Sequence, residues 1–467
     1  MTVTPRRGLL SSPKLLALLV LLELPWLDRH PLVRDEVQSD EAARKTLSAL
    51  WGALHHLDAP LGLYYGFLHF WIMVSDSPAW LRLPSLLAIG GAVAVGIAIA
   101  ERMAGPRAGL VTGLLLLANP ATWYFGADAR PYALALLGAT VTLLIVLTEP
   151  DRSGWLFVAS VVTVYLQGLF SLLFVAEALW LWRARKHRSA VAVVLALVAW
   201  VPMALASQAE SVMSSWIPHT SPKSVADSVH ELFGLMGVQS GVALLAWAAT
   251  AVVVRPRAAE RRILLLALGP AIALAAAGFV MHIIGGRYVL YAVVIVAVVL
   301  GVASARETTW PRGVRLLLCG LALVAVGDLI VEARTPYIQD DLPAAAAYLV
   351  AHDQPGDALL YSPDHARAAF LPGLEVKSQR VADQDISADD RLDRRHLGNF
   401  NLPERSASSI QQALRGHARV WVIGYPNDEW RPTPNTGGDV ATSDLRSWTL
   451  QVTRTFGQIR LQLYTTR

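Results

Sequence analysis

The chain has 467 residues, of which 54% are hydrophobic and only 16% charged, where a soluble domain carries about 25% charged residues. Together with several long apolar runs, that balance excludes an ordinary soluble domain and defines a polytopic membrane protein. The net charge of +4 is no footprint for nucleic acid: the basic residues sit in short clusters between apolar runs, the pattern of cytoplasmic loops. Cys319 is the single cysteine, so no intramolecular disulfide can form, and neither a cysteine metal site nor a redox pair is expected.

In chain order, a first helix is expected near Leu9 to Leu27, behind Arg6 and Arg7. Leu24-Pro25-Trp26-Leu27 is a poor cleavage site, so this run reads as a retained helix and not a signal peptide. Residues 28–81 form a long outer loop. Within it Glu41 to Leu57 has helical apolar spacing, and Leu61 to Val74 is amphipathic and rich in Tyr64, Tyr65, Phe67, Phe70 and Trp71. Aromatics of this kind suit the water–lipid boundary, and both pieces are expected flat on the outer surface. Helix two follows near Leu83 to Ala100. The inner loop Glu101 to Arg107 precedes helix three, Ala108 to Tyr124. A short outer turn, Ala127 to Pro131, leads into helix four, which ends near Leu147. The stretch Trp155 to Trp182 reads as two short helices broken near Gln167-Gly168, because one long helix would carry Arg183, Arg185, Lys186 and Arg188 outside.

Helix seven, Ala190 to Ala206, is followed by the outer loop Gln208 to Leu235. Helix eight ends before Arg255, helix nine near Met281, helix ten near Ser304, and helix eleven covers Leu316 to Val331. About eleven spans leave the N-terminus cytoplasmic, the C-terminus outside and every basic cluster inside. Residues 1–332 are thus the transmembrane module, with 28–81 as its outer loop. Residues 333–467 form an extracytoplasmic α/β domain. In that domain Leu342 to Ala351 reads as a helix. Buried strands are expected at Asp357 to Tyr361 and Arg419 to Ile423, a final strand at Leu461 to Tyr464, and a loop at Gln379 to Asn401.

Candidate chemistry concentrates at the outer side. The pair Asp35-Glu36 follows the first span, and a loop carboxylate there can take a proton from a sugar hydroxyl; it can equally be solvated or paired with Arg34. Asp40-Glu41 reads as the acidic start of an amphipathic helix. Asp128 and Arg130 share a tight outer turn, as a mutual ion pair or as a substrate-facing couple. Arg287, after Gly285-Gly286, can hold a phosphate by paired hydrogen bonds or snorkel to the interface. His55, His56, Asp58 and His69 have no spacing that marks a metal site, so no metal ligand is assigned. No phosphate-binding loop, dinucleotide fingerprint or nucleophile elbow is present.

Taken together, these motifs resemble the GT-C glycosyltransferases, and within them glycosyltransferase family 39, the group related to protein O-mannosyltransferases, in its actinobacterial form. The resemblance rests on Arg34-Asp35-Glu36, Thr46 to Trp51, His56-Leu57-Asp58, Gly62 to Tyr65, Arg82 to Ser85, Asp128 to Leu134, Trp216-Ile217-Pro218 and Gly286-Arg287-Tyr288. It implies an inverting enzyme of the plasma membrane that moves a hexose, mannose first among them, from a polyprenyl-phosphate sugar to a glycan, lipid or protein acceptor of the cell envelope. Asp35 would be the base, Glu36 its support, and Asp128 a second acid where the family usually has Glu. Arg287 would hold the lipid phosphate. Arg130, Tyr288, Asp58, Tyr64, Tyr65 and His56 carry over as substrate-binding positions. Some members use a divalent ion, so magnesium or manganese stays open as a cofactor. Two positions depart: Ala59-Pro60-Leu61-Gly62 follows Asp58 where a His is usual, and Tyr165-Leu166-Gln167-Gly168 replaces a Thr-His-Tyr element. The alternatives are a lipid or glycolipid transporter, which would carry charges midway along helices, and a catalytically silent membrane scaffold.

Overall fold

The computed structural model describes residues 22–28, 32–55, 58–209, 217, 219–233, 238–306, 316, 320, 323–324, 327, 341–362, 365–388, 396–397, 404–425 and 444–466. Most of the expected first and eleventh helices, His56, Trp216 and Pro218 lie outside them. The chain divides into two compact units. One comprises Met1–Leu27 with Arg82–Pro336, the other Asp28–Leu81 with Tyr337–Arg467. The outer loop therefore groups with the C-terminal segment and not with the membrane helices. The reason is packing: Val37 joins the apolar core built by Leu342, Leu359, Phe370 and Trp421. In addition, the buried Lys45 donates to the Leu397 carbonyl at 3.2 Å.

The outer loop opens with α1 (Arg34–Arg44). Glu36, at its third position, returns a carboxylate oxygen to the Val33 N–H at 3.0 Å and caps the helix. The acids at the helix start are thus Asp35 and Glu36, which corrects the expected start at Glu41. Asp40 sits further along and binds Arg44 at 2.9 Å. Burial pushes the Asp40 carboxyl above its ordinary range, with Arg44 working against that shift. Lys45 turns extended, and Thr46 caps α2 (Leu47–Ala53) by accepting the Ala49 N–H. Next comes α3 (Gly62–Trp71). Trp71 stacks on Trp80 at 4.6 Å, and the two exchange indole N–H bonds to each other's carbonyls. Leu47, Trp51, Phe67 and Phe70 remain exposed.

The helices that follow are α4 (Pro78–Ala104), α5 (Pro106–Leu117), α6 (Pro120–Gly126), α7 (Tyr132–Thr148), α8 (Ser153–Leu166), α9 (Ser171–Arg183) and α10 (His187–Ala209). After them come α11 (Pro222–Leu232), α12 (Val238–Val254), α13 (Ala258–Ile263), α14 (Leu265–Ala277) and α15 (Tyr291–Ser304). By length and composition, α4 and α10 are each long and apolar enough to cross a bilayer. The pair α5 and α6 qualifies together, bent by 69°. The bend falls at Asn119, whose side chain accepts the Ala121 N–H (3.0 Å) and donates to the Leu232 carbonyl (3.0 Å). The remaining apolar helices are shorter, so eleven spans are not seen among the described residues.

The two short helices expected between Trp155 and Trp182 are present as α8 and α9, broken at Gln167 and Gly168. A β carbon on Gly168 would stand 2.4 Å from the Trp200 ring, so only glycine fits that turn. The helices fold back as a hairpin: Lys186 pairs with Asp151 at 2.9 Å, and Ser189 donates to the Pro150 carbonyl at 2.5 Å. The basic segment 183–188 thus lies beside Glu149–Gly154. Arg102 pairs with Glu149 at the same end. Elsewhere Arg306 binds Glu260 (3.2 Å) and the carbonyls of Val254 and Arg255.

The C-terminal segment contributes α16 (Leu342–His352), β1 (Ala358–Tyr361), α17 (His365–Lys377), α18 (Gln379–Ala382), α19 (Ala407–Leu414), β2 (Arg419–Gly424), β3 (Thr449–Phe456) and β4 (Ile459–Thr465). The sheet order is β1-β2-β4-β3, with β1 parallel to β2 and the other pairs antiparallel. Leu359, Tyr361, Trp421 and Ile423 fill one core, while Ala358, Leu360, Val420 and Val422 fill another. Burial on both faces explains why β1 and β2 are continuous apolar runs. The expected loop at 379–401 instead begins with α18, held by the Ser378 cap, and carries single-residue bridges at Asp385 and Ala388. Arg367 and Asp385 form a buried pair there at 2.8 Å.

Candidate active site

In the unit that contains 28–81, the site is built on the N-terminal half of α1. Asp35 is half-buried in its first turn, and Glu36 is buried in its capping role. Gln38, one turn on from Asp35 and on the same face, donates to Asp58 at 2.6 Å. The Tyr65 hydroxyl donates to the same Asp58 oxygen at 2.8 Å. Asp58 itself has φ +60, a left-handed conformation that costs a non-glycine residue energy and is concentrated at functional sites. Two donors and the surrounding turn hold it there. Tyr64 and Tyr65 are fully buried. Tyr65 helps to fix Asp58 through its hydroxyl. His55 and His69 spend Nδ1 on the carbonyls of Trp51 and Ala43. Among the described residues no three His, Cys, Asp or Glu side chains converge on a metal position.

In the unit of membrane helices, Asp128 is buried and Arg130 half-buried in the turn between α6 and α7. The Arg130 N–H donates to the Asp128 carbonyl at 2.8 Å, which tightens the turn, and Ser85 donates to the Arg130 carbonyl. Arg287 lies in the 3-10 turn Gly286–Val289 ahead of α15. Its Nε binds Glu231 at 2.6 Å, and its guanidinium carbon stands 5.7 Å from the Tyr132 ring centre. The second Glu231 oxygen accepts the Gly286 N–H at 2.6 Å. A β carbon on Gly286 would come within 2.2 Å of the Ser228 carbonyl, so glycine is what lets α11 lie against this turn. Arg287 is thus an anchored cation, not a snorkelling one. Tyr288, half-buried, follows it. Nearby, Phe170 of the α8–α9 turn meets Tyr291 edge-on at 4.9 Å.

Glu231 was not singled out by the sequence reading. Its helix, α11, lies in the stretch expected as the outer loop Gln208 to Leu235, where Ser221-Pro222 with Ser224 starts it, and a partner 56 positions away leaves no local mark. Glu177 was also passed over, although it is a single acid in the apolar run of α9. It is fully buried and accepts from Thr142 at 3.0 Å. Midway along a helix, it corrects the view that all membrane-depth charge clusters at the outer side.

The fold is one already solved in another protein. Two solved structures share it with this chain: ArnT from Cupriavidus metallidurans bound to undecaprenyl phosphate (TM-score 0.55) and the same protein in the apo state (TM-score 0.58). Each is 16% identical to this chain, and each alignment covers 97% of both chains. No family model and no curated protein matches the sequence.

Proposed function

We propose that the chain is an inverting glycosyltransferase that takes a hexose, mannose before others, from a polyprenyl-phosphate donor and places it on a cell-envelope acceptor outside the plasma membrane. The observation that carries the reading is the Glu231–Arg287 clamp: a partly buried, fixed guanidinium next to Tyr132, in a fold solved elsewhere with undecaprenyl phosphate bound. Glu231 occupies Nε and Tyr132 takes a further side-chain hydrogen bond, so the remaining Nη hydrogens are the donors left to grip a phosphate.

In the proposed reaction Asp35 takes the proton of the acceptor hydroxyl. The resulting oxygen attacks C1 of the sugar from the face opposite the phosphate, and the C1–O bond to phosphate breaks. Polyprenyl phosphate leaves with both bonding electrons, and Arg287 stabilises the charge that develops on it, so no acid is needed for the leaving group. Asp58, set by Gln38 and Tyr65, orients the acceptor side. Asp128 and Arg130 serve as the second acid and its neighbouring cation. The topology proposed with this reading has a cytoplasmic N-terminus, an extracytoplasmic C-terminal domain and about eleven spans.

Glu231 is a positioning residue in this scheme. Glu231→Gln keeps an acceptor for the Gly286 N–H but loses the charge that fixes Arg287. Steady-state kinetics should show the KM for donor raised roughly tenfold, a loss of one charge-assisted bond, with kcat changed far less. An unchanged KM would remove Glu231 from the donor site.

The reading is tested by incubating the detergent-purified protein with polyprenyl-phosphate mannose and a membrane extract, and identifying the acceptor by its mass gain. No transfer from mannose, galactose, glucose or arabinose donors would overturn it. Glu177 is the observation that favours a second reading, a lipid transporter, because buried carboxyls within spans often mark transport paths. If Glu177→Gln leaves sugar transfer intact and no lipid moves between leaflets, that second reading fails.

A further inference from the structure

A groove of about 560 Å³ opens on the membrane-helix unit where α8 and α10 start side by side. Its mouth is polar: Ser153, His187 and Arg188. Its floor, one to two turns further along the same helices, is apolar: Phe157, Val191 and Leu195. Seven residues of helix separate Arg188 from Leu195, about 10 Å along the axis, enough for the upper part of an acyl chain.

The cations of this end are not equivalent. Lys186 is held by Asp151, while Arg102 and Arg152 share Glu149. Among the described residues, Arg188 has no acidic partner, and it lies at the groove mouth. His187 is set beside it by an edge-on contact with Trp182 at 4.5 Å. Trp155 and Trp182 are 69% and 58% exposed at the same end, and exposed tryptophans mark the level of lipid headgroups.

We infer that this groove binds an anionic glycerophospholipid of the bilayer, with its phosphate on Arg188, His187 and the Ser153 hydroxyl and one acyl chain along Phe157, Val191 and Leu195. The charge complementarity selects the headgroup, and the change from polar mouth to apolar floor matches the order of groups in a phospholipid. The site is separate from the Arg287 clamp and does not depend on the sugar-transfer reading.

The test is native mass spectrometry of the full-length protein, delipidated in detergent and titrated with phosphatidylglycerol, phosphatidylcholine or a polyprenyl phosphate. Phosphatidylglycerol should be retained roughly five-fold more than phosphatidylcholine, the preference expected from one basic side chain at the membrane surface. Arg188→Glu should abolish that preference. Val191→Trp, at a position already 49% exposed, should fill the floor and displace the bound lipid without disturbing the core. Equal retention of the two phospholipids, a preference that survives both substitutions, or loss only on Arg287→Lys would overturn the assignment.

Discussion

Asp35→Asn abolishes sugar transfer, lowering kcat by about 10²–10⁴-fold, the usual worth of a positioned general base. The fold should survive, because Glu36 caps the first turn of α1; the lost charge also weakens the interaction with the helix dipole by about 0.3–1 kcal/mol. Initial rates and a melting curve on the same preparation check both halves. Glu36→Gln is the companion: its amide oxygen can still accept the Val33 N–H, so activity should persist at a reduced level. A fully active Asp35→Asn enzyme, or an inactive Glu36→Gln enzyme beside it, would exchange the roles of the two carboxylates.

Arg287→Lys should lower kcat by about 10²–10³-fold, the cost of removing one preorganised donor from a developing negative charge, and should weaken donor binding as well. Lysine keeps a charge opposite Glu231, so the α11 contact holds. It cannot reproduce the planar fork that holds Glu231 on one edge and would offer the other to a phosphate. Arg287→Ala is the harsher variant, since it leaves Glu231, 11% exposed, with no cation, and a partner stripped from a buried pair costs about 3–5 kcal/mol. Rates that fall with Ala but not with Lys would make Arg287 a structural cation only.

Much of the architecture was legible because its signals are local. The basic clusters and the break at Gln167-Gly168 mark the α8–α9 hairpin, and the run Asp357 to Tyr361 marks a buried strand, present as β1. β3 escaped notice because it is a mostly exposed edge strand with Thr449, Gln451, Thr453 and Arg454 among its apolar positions. The start of α1 was misread because its capping carboxylate is the residue that also looked catalytic. Asp35, Asp58 and Arg287 stand out by motif, whereas Gln38 and Glu231 matter through partners 20 and 56 positions away. Tyr64 and Tyr65 stand out as an aromatic pair on α3, while the bond that the Tyr65 hydroxyl makes to Asp58 from within the core leaves no sequence signal.

Transfer from a lipid phosphate is decided by the fate of a labelled donor. With polyprenyl-phosphate mannose labelled in the sugar and in the lipid, one polyprenyl phosphate should be released for each mannose attached to acceptor, with inverted anomeric configuration by NMR. Sugar that crosses the bilayer still joined to its lipid, or product with retained configuration, would contradict it.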